Sequence, residues 1–252
     1  MILVAGAWLA SVGGGAAHAR EPAEAPLVLG TPRPPGNYAG EFFRRGYQAL
    51  FQRLNLPMEI RTLPTARLTV ELNNGQLDGD LGRPWGFAET QNQLLRVDEP
   101  MAEIVFGLWT LDPKRGLQSL DQLTDHPETV TYTRGVVECE VALRRVLPDT
   151  YVMAVSTTAS ALAMLHAGRN ALHCGVDMAL LSDAGSPEMA GKPVPRLLWR
   201  IGKPQTLHLY LHRRHAALLP RINATLKAMK ADGELERLRQ QTLREFNLPA
   251  SP

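Results

Sequence analysis

The sequence predicts an α/β protein made of two lobes, and three observations support this prediction. From residue 27 onward, short apolar runs alternate with amphipathic helical segments, which is typical of parallel βα units. The pattern starts afresh after a long apolar stretch at 104–111, which ends in the breaker Asp112-Pro113. No long linker or internal repeat separates the two parts, so we expect short crossings near residues 107–111 and 205–210 to join them.

The first lobe begins with a predicted strand at 27–31, followed by a loop rich in Pro and Gly at 32–40. The next segment predicts a helix with one buried face, because apolar side chains recur at spacings of three and four, at positions 42, 43, 47, 50, 51 and 54. A second strand at 58–62 alternates apolar and charged residues. A helix then starts at Pro64-Thr65 and stops at Asn73-Asn74-Gly75, before a third strand at 77–81.

The second lobe follows the apolar stretch at 104–111, with predicted strands at 129–133, 151–155 and 171–176 and helices near 136–147 and 158–167. A strand at 207–211 leads out of this lobe. Two helices close the chain, the first with Leu219, Ile222, Leu226 and Met229 on one face and the second at about 234–246. We therefore expect lobe one to comprise residues 20–108 and 208–252, and lobe two residues 109–207.

The first nineteen residues are typical of a signal peptide. Residues 1–12 are largely apolar, small residues follow at 13–17, and Ala17-His18-Ala19 fits the small-x-small cleavage rule. Cleavage before Arg20 predicts a mature protein that is free in the periplasm. The alternative is a short buried helix at the N-terminus.

Composition excludes some functions. The formal net charge of +2 provides no electrostatic footprint for nucleic acid. No Gly-x-Ser-x-Gly, His-Glu-x-x-His or phosphate-binding glycine-rich loop is present, and we expect no cofactor. His208, His212 and His215 cluster in the sequence, but zinc ligands normally come at fixed short spacings with a third and a fourth donor, so we expect no metal site.

Three stretches resemble the extracellular solute-binding proteins of family 3. They are LNNGQLDGD at 72–80, LQSLDQL at 117–123 and the run at 219–233, which is similar to the closing helix of the family. The resemblance implies a two-lobed type II periplasmic binding protein, in which each lobe is a mainly parallel sheet flanked by helices and two hinge crossings join the lobes. It also implies a monomer without enzyme activity that delivers a small ligand to the permease of an ABC-type transporter. Where many members carry Thr-x-x-Arg, this chain reads FAETQ at 87–91, and its arginine comes earlier, at Arg83.

Ligands of open α/β sheets bind beyond the carboxyl ends of the strands, so the loops there contain the candidate site residues. Arginine suits a carboxylate or phosphate because its planar group donates two parallel hydrogen bonds, and Trp or Tyr can cover an apolar or cationic part of a ligand. The alternative for each arginine is a surface ion pair. The candidates are Arg33, Tyr38, Arg83, Trp85, Arg134 and Gly135.

Two further candidates have a simpler alternative as helix caps. Thr157 precedes a predicted helix, and Asp177 resembles the aspartate with which the family holds a ligand amine, but either residue can merely cap the helix that follows. The helix start after Gly135 favours an anionic group. We expect Arg83 and Arg134 to hold the same anionic group, or adjacent groups, from opposite lobes.

The strand order implied by the resemblance brings Cys139 close to Cys174, which makes a disulfide possible; the alternative is two buried free thiols. Three alternatives to transport also remain open. The same fold serves as a periplasmic sensor that reports to a separate membrane kinase, as an accessory protein of periplasmic oxidoreductases, and as a small lyase on cyclohexadienyl acids. A lyase would need an acid or base in the cleft, for which His173 or Glu138 is a weak candidate.

Overall fold

The computed structural model describes residues 25–250. The predicted signal peptide at 1–19 lies outside the described residues. Within residues 25–250, no helix is both long enough and apolar enough to cross a membrane.

One nine-stranded sheet runs through the molecule in the order β2-β1-β3-β9-β5-β8-β6-β7, and β4 also pairs with β9. The strands at the two ends are parallel, whereas the central β5 and β9 are antiparallel to their neighbours. The strands are β1 (Leu27–Thr31), β2 (Met58–Thr62), β3 (Gly79–Pro84), β4 (Leu94–Arg96), β5 (Ala102–Thr110), β6 (Val130–Thr133), β7 (Val152–Val155), β8 (Leu172–Val176) and β9 (Arg196–His212).

Within residues 25–250, seven α-helices cover the sheet, and the first shows how the sequence sets its limits. Asn37 has extended backbone and accepts a hydrogen bond from Gly40 N at 2.8 Å, which caps the helix, while the apolar positions predicted from spacing are buried. The helices are α1 (Tyr38–Arg53), α2 (Thr65–Asn73), α3 (Val137–Val146), α4 (Thr158–His166), α5 (Asp177–Ala184), α6 (Leu219–Ala231) and α7 (Glu234–Glu245).

The long strands β5 and β9 belong to both halves of the molecule. Their register shifts between Ile104, which pairs with Gln205, and Phe106, which pairs with Ile201. Gly202 has a φ of +63° there, and Pro204 has no N–H to donate to the sheet, so this stretch of β9 interrupts the ladder.

Apolar packing divides the molecule at this register shift of β5 and β9. One large core surrounds α1, α6 and α7, a second lies under α3, and Ile104 packs against both. Helix α5 follows β8 in the chain but joins the first core, since Met178 and Leu181 are buried there. Its Ser182 Oγ accepts a hydrogen bond from Ala39 N at 3.1 Å.

The predicted α/β fold is confirmed, with two corrections to its elements. The short strand β4 was not expected. Strand β9 begins at Arg196, whereas the sequence predicted a strand only at 207–211, because Arg200, Gly202, Lys203 and Pro204 obscure the apolar pattern of its first half.

Candidate functional site

The carboxyl ends of β1, β3, β6 and β8 converge where β5 and β9 cross between the two cores. A cavity of about 330 Å³ lies there, which is within the range of small-molecule sites. The loop between β1 and α1 forms one wall, with Arg33 and Asn37. Helix α5 forms the facing wall, with Ala179, Ser182 and Asp183. We call this cavity the cleft.

Arg33 brings a positive charge to the cleft. Its guanidinium lies 4.3 Å from the centre of the Phe43 ring, and Nη1 donates to the Gly82 carbonyl oxygen at 3.2 Å. Burial lowers the pKa of Arg33 from its usual value, and the carboxyl group of Asp80 opposes that change. An arginine remains charged in proteins, so this half-buried cation lines the cleft at neutral pH.

Arg83 is held beside Arg33 by a buried carboxylate that the sequence analysis did not single out. Its Nε donates to Asp80 Oδ2 at 2.5 Å, and Asp80, which is 0% exposed, also accepts from Gly82 N at 3.1 Å. The two guanidinium groups and one carboxylate leave one uncompensated positive charge. Arg83 Nη2 is buried and has no hydrogen-bond partner among the residues that the structure describes.

Trp85 is half exposed and lies on a different surface. It lines a shallow pocket of about 330 Å³ with Pro204, Gln205 and Thr206 of β9, at the register shift. The Arg96 guanidinium lies 3.2 Å from the centre of its ring, and the His208 ring packs edge-on against it at 5.2 Å. A ligand that stacks on this face of the Trp85 ring would therefore have to displace Arg96.

Tyr38 and Asp177 line a second cavity of about 340 Å³, which lies between α1, α5, α7 and the start of β5. Asp177 Oδ1 accepts hydrogen bonds from Met178 N at 2.6 Å and from Val105 N at 3.0 Å. The carboxyl group thus caps α5 and fastens it to β5. Burial raises the pKa of Asp177, and the same cause raises the pKa of Tyr38, which Arg239 opposes.

The three candidates of lobe two are exposed and do not line the cleft, although they follow β6 and β7, whose carboxyl ends point towards it. Gly135 has a φ of +90°, which favours glycine, and directly precedes the turn into α3. Arg134 N donates to the Val155 carbonyl oxygen at 2.8 Å, so the β6 and β7 loops touch. Thr157 caps α4, since its Oγ1 accepts from Ser160 N at 3.1 Å.

A disulfide joins Cys139 in the first turn of α3 to Cys174 of β8, with 5.6 Å between the Cα atoms. The pairing follows from the strand order, since β6 lies beside β8 in parallel, as the resemblance implied. It fastens the helix that follows Gly135 to the strand that leads to Asp177.

The structure therefore distributes the eight candidates over several surfaces. Arg33 and Arg83 meet through Asp80, and Tyr38 and Asp177 share the second cavity. No contact between Arg83 and Arg134 is found within residues 25–250. Spacing alone could not have paired Asp80 with Arg83, because residues three apart on a strand point to opposite faces, and here a register shift between them brings the two side chains together.

Comparison with known proteins gave a clear result for the fold. No family model matches the chain. An uncharacterized protein of Shewanella oneidensis is 26% identical over 203 residues, which cover 79% of this chain and 75% of that protein. The unliganded, open L-cystine solute receptor of Neisseria gonorrhoeae has a TM-score of 0.69 at 15% identity, covering 90% of this chain and 94% of the receptor. This chain has the periplasmic binding protein fold.

Two more solved structures support that conclusion. An ancestral cationic amino acid solute-binding protein has a TM-score of 0.67 at 18% identity, over 85% of this chain and 94% of that one. A histidine kinase sensor domain similar to periplasmic binding proteins has a TM-score of 0.61 at 17% identity, over 88% and 97%. Proteins of this fold close two domains around a ligand by hinge motion, so a cleft between the two cores is where the fold places ligands.

The side chains weighed for metal binding or catalysis lie apart from the cleft. Within the described residues, no three His, Cys, Asp or Glu side chains are placed to hold a metal ion. His208 is buried with Nδ1 at 2.9 Å from the Val97 carbonyl oxygen, whereas His215 contacts Asp78. His173 is fully buried, and Glu138 accepts a hydrogen bond from Gln205 Nε2 at 2.7 Å.

Proposed function

We propose that this protein is an exported member of the family 3 solute-binding proteins, which captures a small anionic or zwitterionic ligand for the permease of an ABC-type transporter. The observation that carries the proposal is the cleft between α5 and the Arg33 loop, bordered by the ends of strands from both halves. The binding functions in the names of structurally similar proteins agree with ligand capture.

The charge in the cleft selects the ligand class. Arg33 lines the cavity, and the Arg33, Asp80 and Arg83 group has one net positive charge, which faces the Asp183 carboxyl group on the opposite wall, an arrangement that suits a zwitterion as well as an anion. The amino end of α1, which begins beside Arg33 at Tyr38, adds the positive end of a helix dipole. A carboxylate or phosphate can therefore bind to Arg33 and displace water from a largely apolar floor formed by Ile104 and Leu207.

Lobe two contributes its own polar groups when the lobes close. Arg134, Gly135 and Thr157 lie on its exposed rim, and hinge closure at β5 and β9 would move that rim towards Arg33. Trp85 lines a separate pocket and Asp177 the second cavity, so we propose that closure of the lobes brings these two surfaces to the ligand, with Asp177 accepting from an amine after it gives up its bond to Val105.

A thermal-shift screen of the purified protein against amino acids, organic acids, polyamines and sugars tests the proposal. A compound at a hundred times its dissociation constant adds about 2.7 kcal/mol to the unfolding free energy. We expect hits among anionic or zwitterionic compounds only. Hits confined to neutral sugars or polyamines would contradict the assigned charge, and a neighbouring gene for a membrane kinase in place of a permease would favour a sensor, for which the kinase sensor domain of this fold is a precedent.

The predicted compartment needs a separate test. Mass spectrometry of protein released from the periplasm should find an N-terminus near Arg20, as expected from Ala17-His18-Ala19. A product that stays in the cytoplasm and keeps Met1 would remove the case for export.

A further inference from the structure

A buried polar cluster lies beneath the amino end of α4, on elements of lobe two. His173 and Thr131 are both 0% exposed. His173 Nδ1 lies 3.1 Å from Thr131 Oγ1, and His173 Nε2 lies 3.4 Å from Thr133 Oγ1. Thr133 Oγ1 in turn lies 3.3 Å from Thr158 Oγ1, so a chain of hydrogen bonds runs from β8 across β6 to α4.

The surrounding donors set the direction of that chain. Asn170 Nδ2 donates to Thr131 Oγ1 at 2.9 Å and to the Leu172 carbonyl oxygen at 2.7 Å, and Thr131 Oγ1 donates to the same carbonyl at 3.3 Å. Because the single hydroxyl proton of Thr131 is used at the Leu172 carbonyl oxygen, Thr131 Oγ1 accepts from His173, which requires an N–H at Nδ1. The neutral ring therefore holds its proton on Nδ1, and Nε2 accepts from the Thr133 hydroxyl, which accepts from Thr158.

The far end of this chain reaches two loops at the cleft rim. Thr133 directly precedes Arg134, whose N–H binds the Val155 carbonyl oxygen, and Thr158 is the first residue of α4, next to the cap Thr157. If the hydroxyl group of Thr133 or Thr158 changes from accepting a hydrogen bond to donating one, the hydrogen-bond partners available to these two loops change as well.

We propose that His173 is a positioning residue, which holds the β6–α3 and β7–α4 loops through Thr133 and Thr158 and loosens them when it takes up a proton. With both ring nitrogens protonated, Nε2 must donate to Thr133, the Thr133 hydroxyl must turn to Thr158, and the Thr158 hydroxyl proton loses its acceptor in the chain at the first turn of α4. The link to ligand binding rests on the function proposed above, whereas the hydrogen-bond chain does not.

Burial explains why the ring is neutral in the folded protein. It lowers the pKa of His173 to about 4, and the hydrogen bond to Thr131 opposes the change only in part. No charged group among the described residues contributes to that pKa. The titratable side chains on the strands and helices packed against β8 are Glu103 on β5, Tyr132 on β6, His166 on α4, and Asp177 and Asp183 on α5.

Two measurements on the unliganded protein test the proposal. Long-range ¹H–¹⁵N NMR at about pH 7 should show the proton of His173 on Nδ1. Hydrogen exchange, corrected for intrinsic rates, should show about tenfold less protection of residues 133–137 and 156–161 at about pH 4 than at about pH 7. His173→Gln, which does not titrate, should lose this dependence, and the control His166→Gln should keep it.

Several outcomes would overturn the proposal. A proton on Nε2 at neutral pH contradicts the assigned direction, and an unchanged pH dependence in His173→Gln assigns the effect to another group. If His173→Gln does not fold, Thr133→Val replaces it. That variant keeps the histidine but breaks the chain, so residues 156–161 should no longer respond to pH, and a response as large as in the parent refutes the link. Because no ligand is used, a failed ligand screen and a failure here are separate results.

Discussion

Replacement of Arg83 by alanine tests whether this arginine supports the fold or grips a ligand. In the structure its Nε lies 2.5 Å from Asp80 Oδ2, and Asp80 is 0% exposed. Removing Arg83 takes away a hydrogen-bonded partner of this buried carboxylate but leaves Arg33 nearby as its counter-charge, so the cost is that of a lost charge-assisted hydrogen bond, about 1.5 to 3 kcal/mol. The loss of the Arg83 guanidinium from the Phe87 ring, 4.6 Å away, adds about 0.5 to 1 kcal/mol. We therefore expect a large loss of stability without ligand.

Urea unfolding followed by circular dichroism measures this loss, with three comparisons. Arg67→Ala removes an exposed arginine paired with Glu71 and should cost less than about 1 kcal/mol. Asp80→Asn combined with Arg83→Ala should be no more stable than Arg83→Ala, because it leaves Arg33 without its counter-charge, although the amide oxygen can still accept from Gly82 N. Lowering the pH should reduce the deficit of Arg83→Ala, because the unpaired carboxyl can take up a proton in the folded state.

The results that refute this reasoning are specific. If Arg83→Ala unfolds at the same urea concentration as the parent, with the same slope, the ion pair with Asp80 does not stabilise the fold. If it also binds a ligand found in the screen at least tenfold more weakly, Arg83 is a ligand residue, as the sequence alone suggested. If the double variant is clearly more stable than Arg83→Ala, Arg33 does not compensate the Asp80 charge.

Three more predictions follow from the same structure. Arg33→Ala should weaken the binding of an anionic hit by about ten- to a hundredfold, measured by calorimetric titration, while Arg67→Ala binds like the parent. Reduction of the Cys139–Cys174 bond, which closes a loop of 35 residues, should lower the unfolding free energy by about 4 kcal/mol on the chain-entropy model; equal urea midpoints with and without reductant would argue against it. Because the folded pKa of His173 lies near 4, below its unfolded value, stability should fall as the pH drops from about 6.5 to 4, by up to about 3 kcal/mol, and His173→Gln should lack this component.

The regular elements could be predicted because their apolar spacing is set locally. Strand β1 and strand β2 have the predicted limits, and Asn73-Asn74-Gly75 marks the end of α2, since Gly75 has a φ of +69°. The first half of β9 could not be predicted, because no local apolar spacing marks it as a strand. Its residues pair with β5 through backbone hydrogen bonds, and its charged and proline side chains carry no strand pattern.

The contacts of the site could be predicted only in part. Placement at the ends of strands located Arg33 at the cleft, because strand ends meet at one edge of a sheet. It could not show that Arg83 turns inward to Asp80, or that Asp177 turns to Val105, since either side chain has polar partners on two sides of its loop. The orientations of these side chains depend on segments that are distant in the chain and pack against the loops. Sequence spacing does not describe such contacts.

Helix α5 shows why chain order alone does not determine which parts can move together. It follows β8 directly, yet Met178 and Leu181 are buried with α1, and Ser182 binds Ala39 N. Exposing two such apolar side chains costs about 3 to 6 kcal/mol, which is more than a ligand-driven hinge motion can easily supply. Leu180, on another face of α5, is equally buried against Trp109, Leu162 and Leu165, so this helix packs on both halves. We therefore expect α5 to resist any hinge motion that separates α1 from α4, and bending to be least costly where the β5–β9 register shifts.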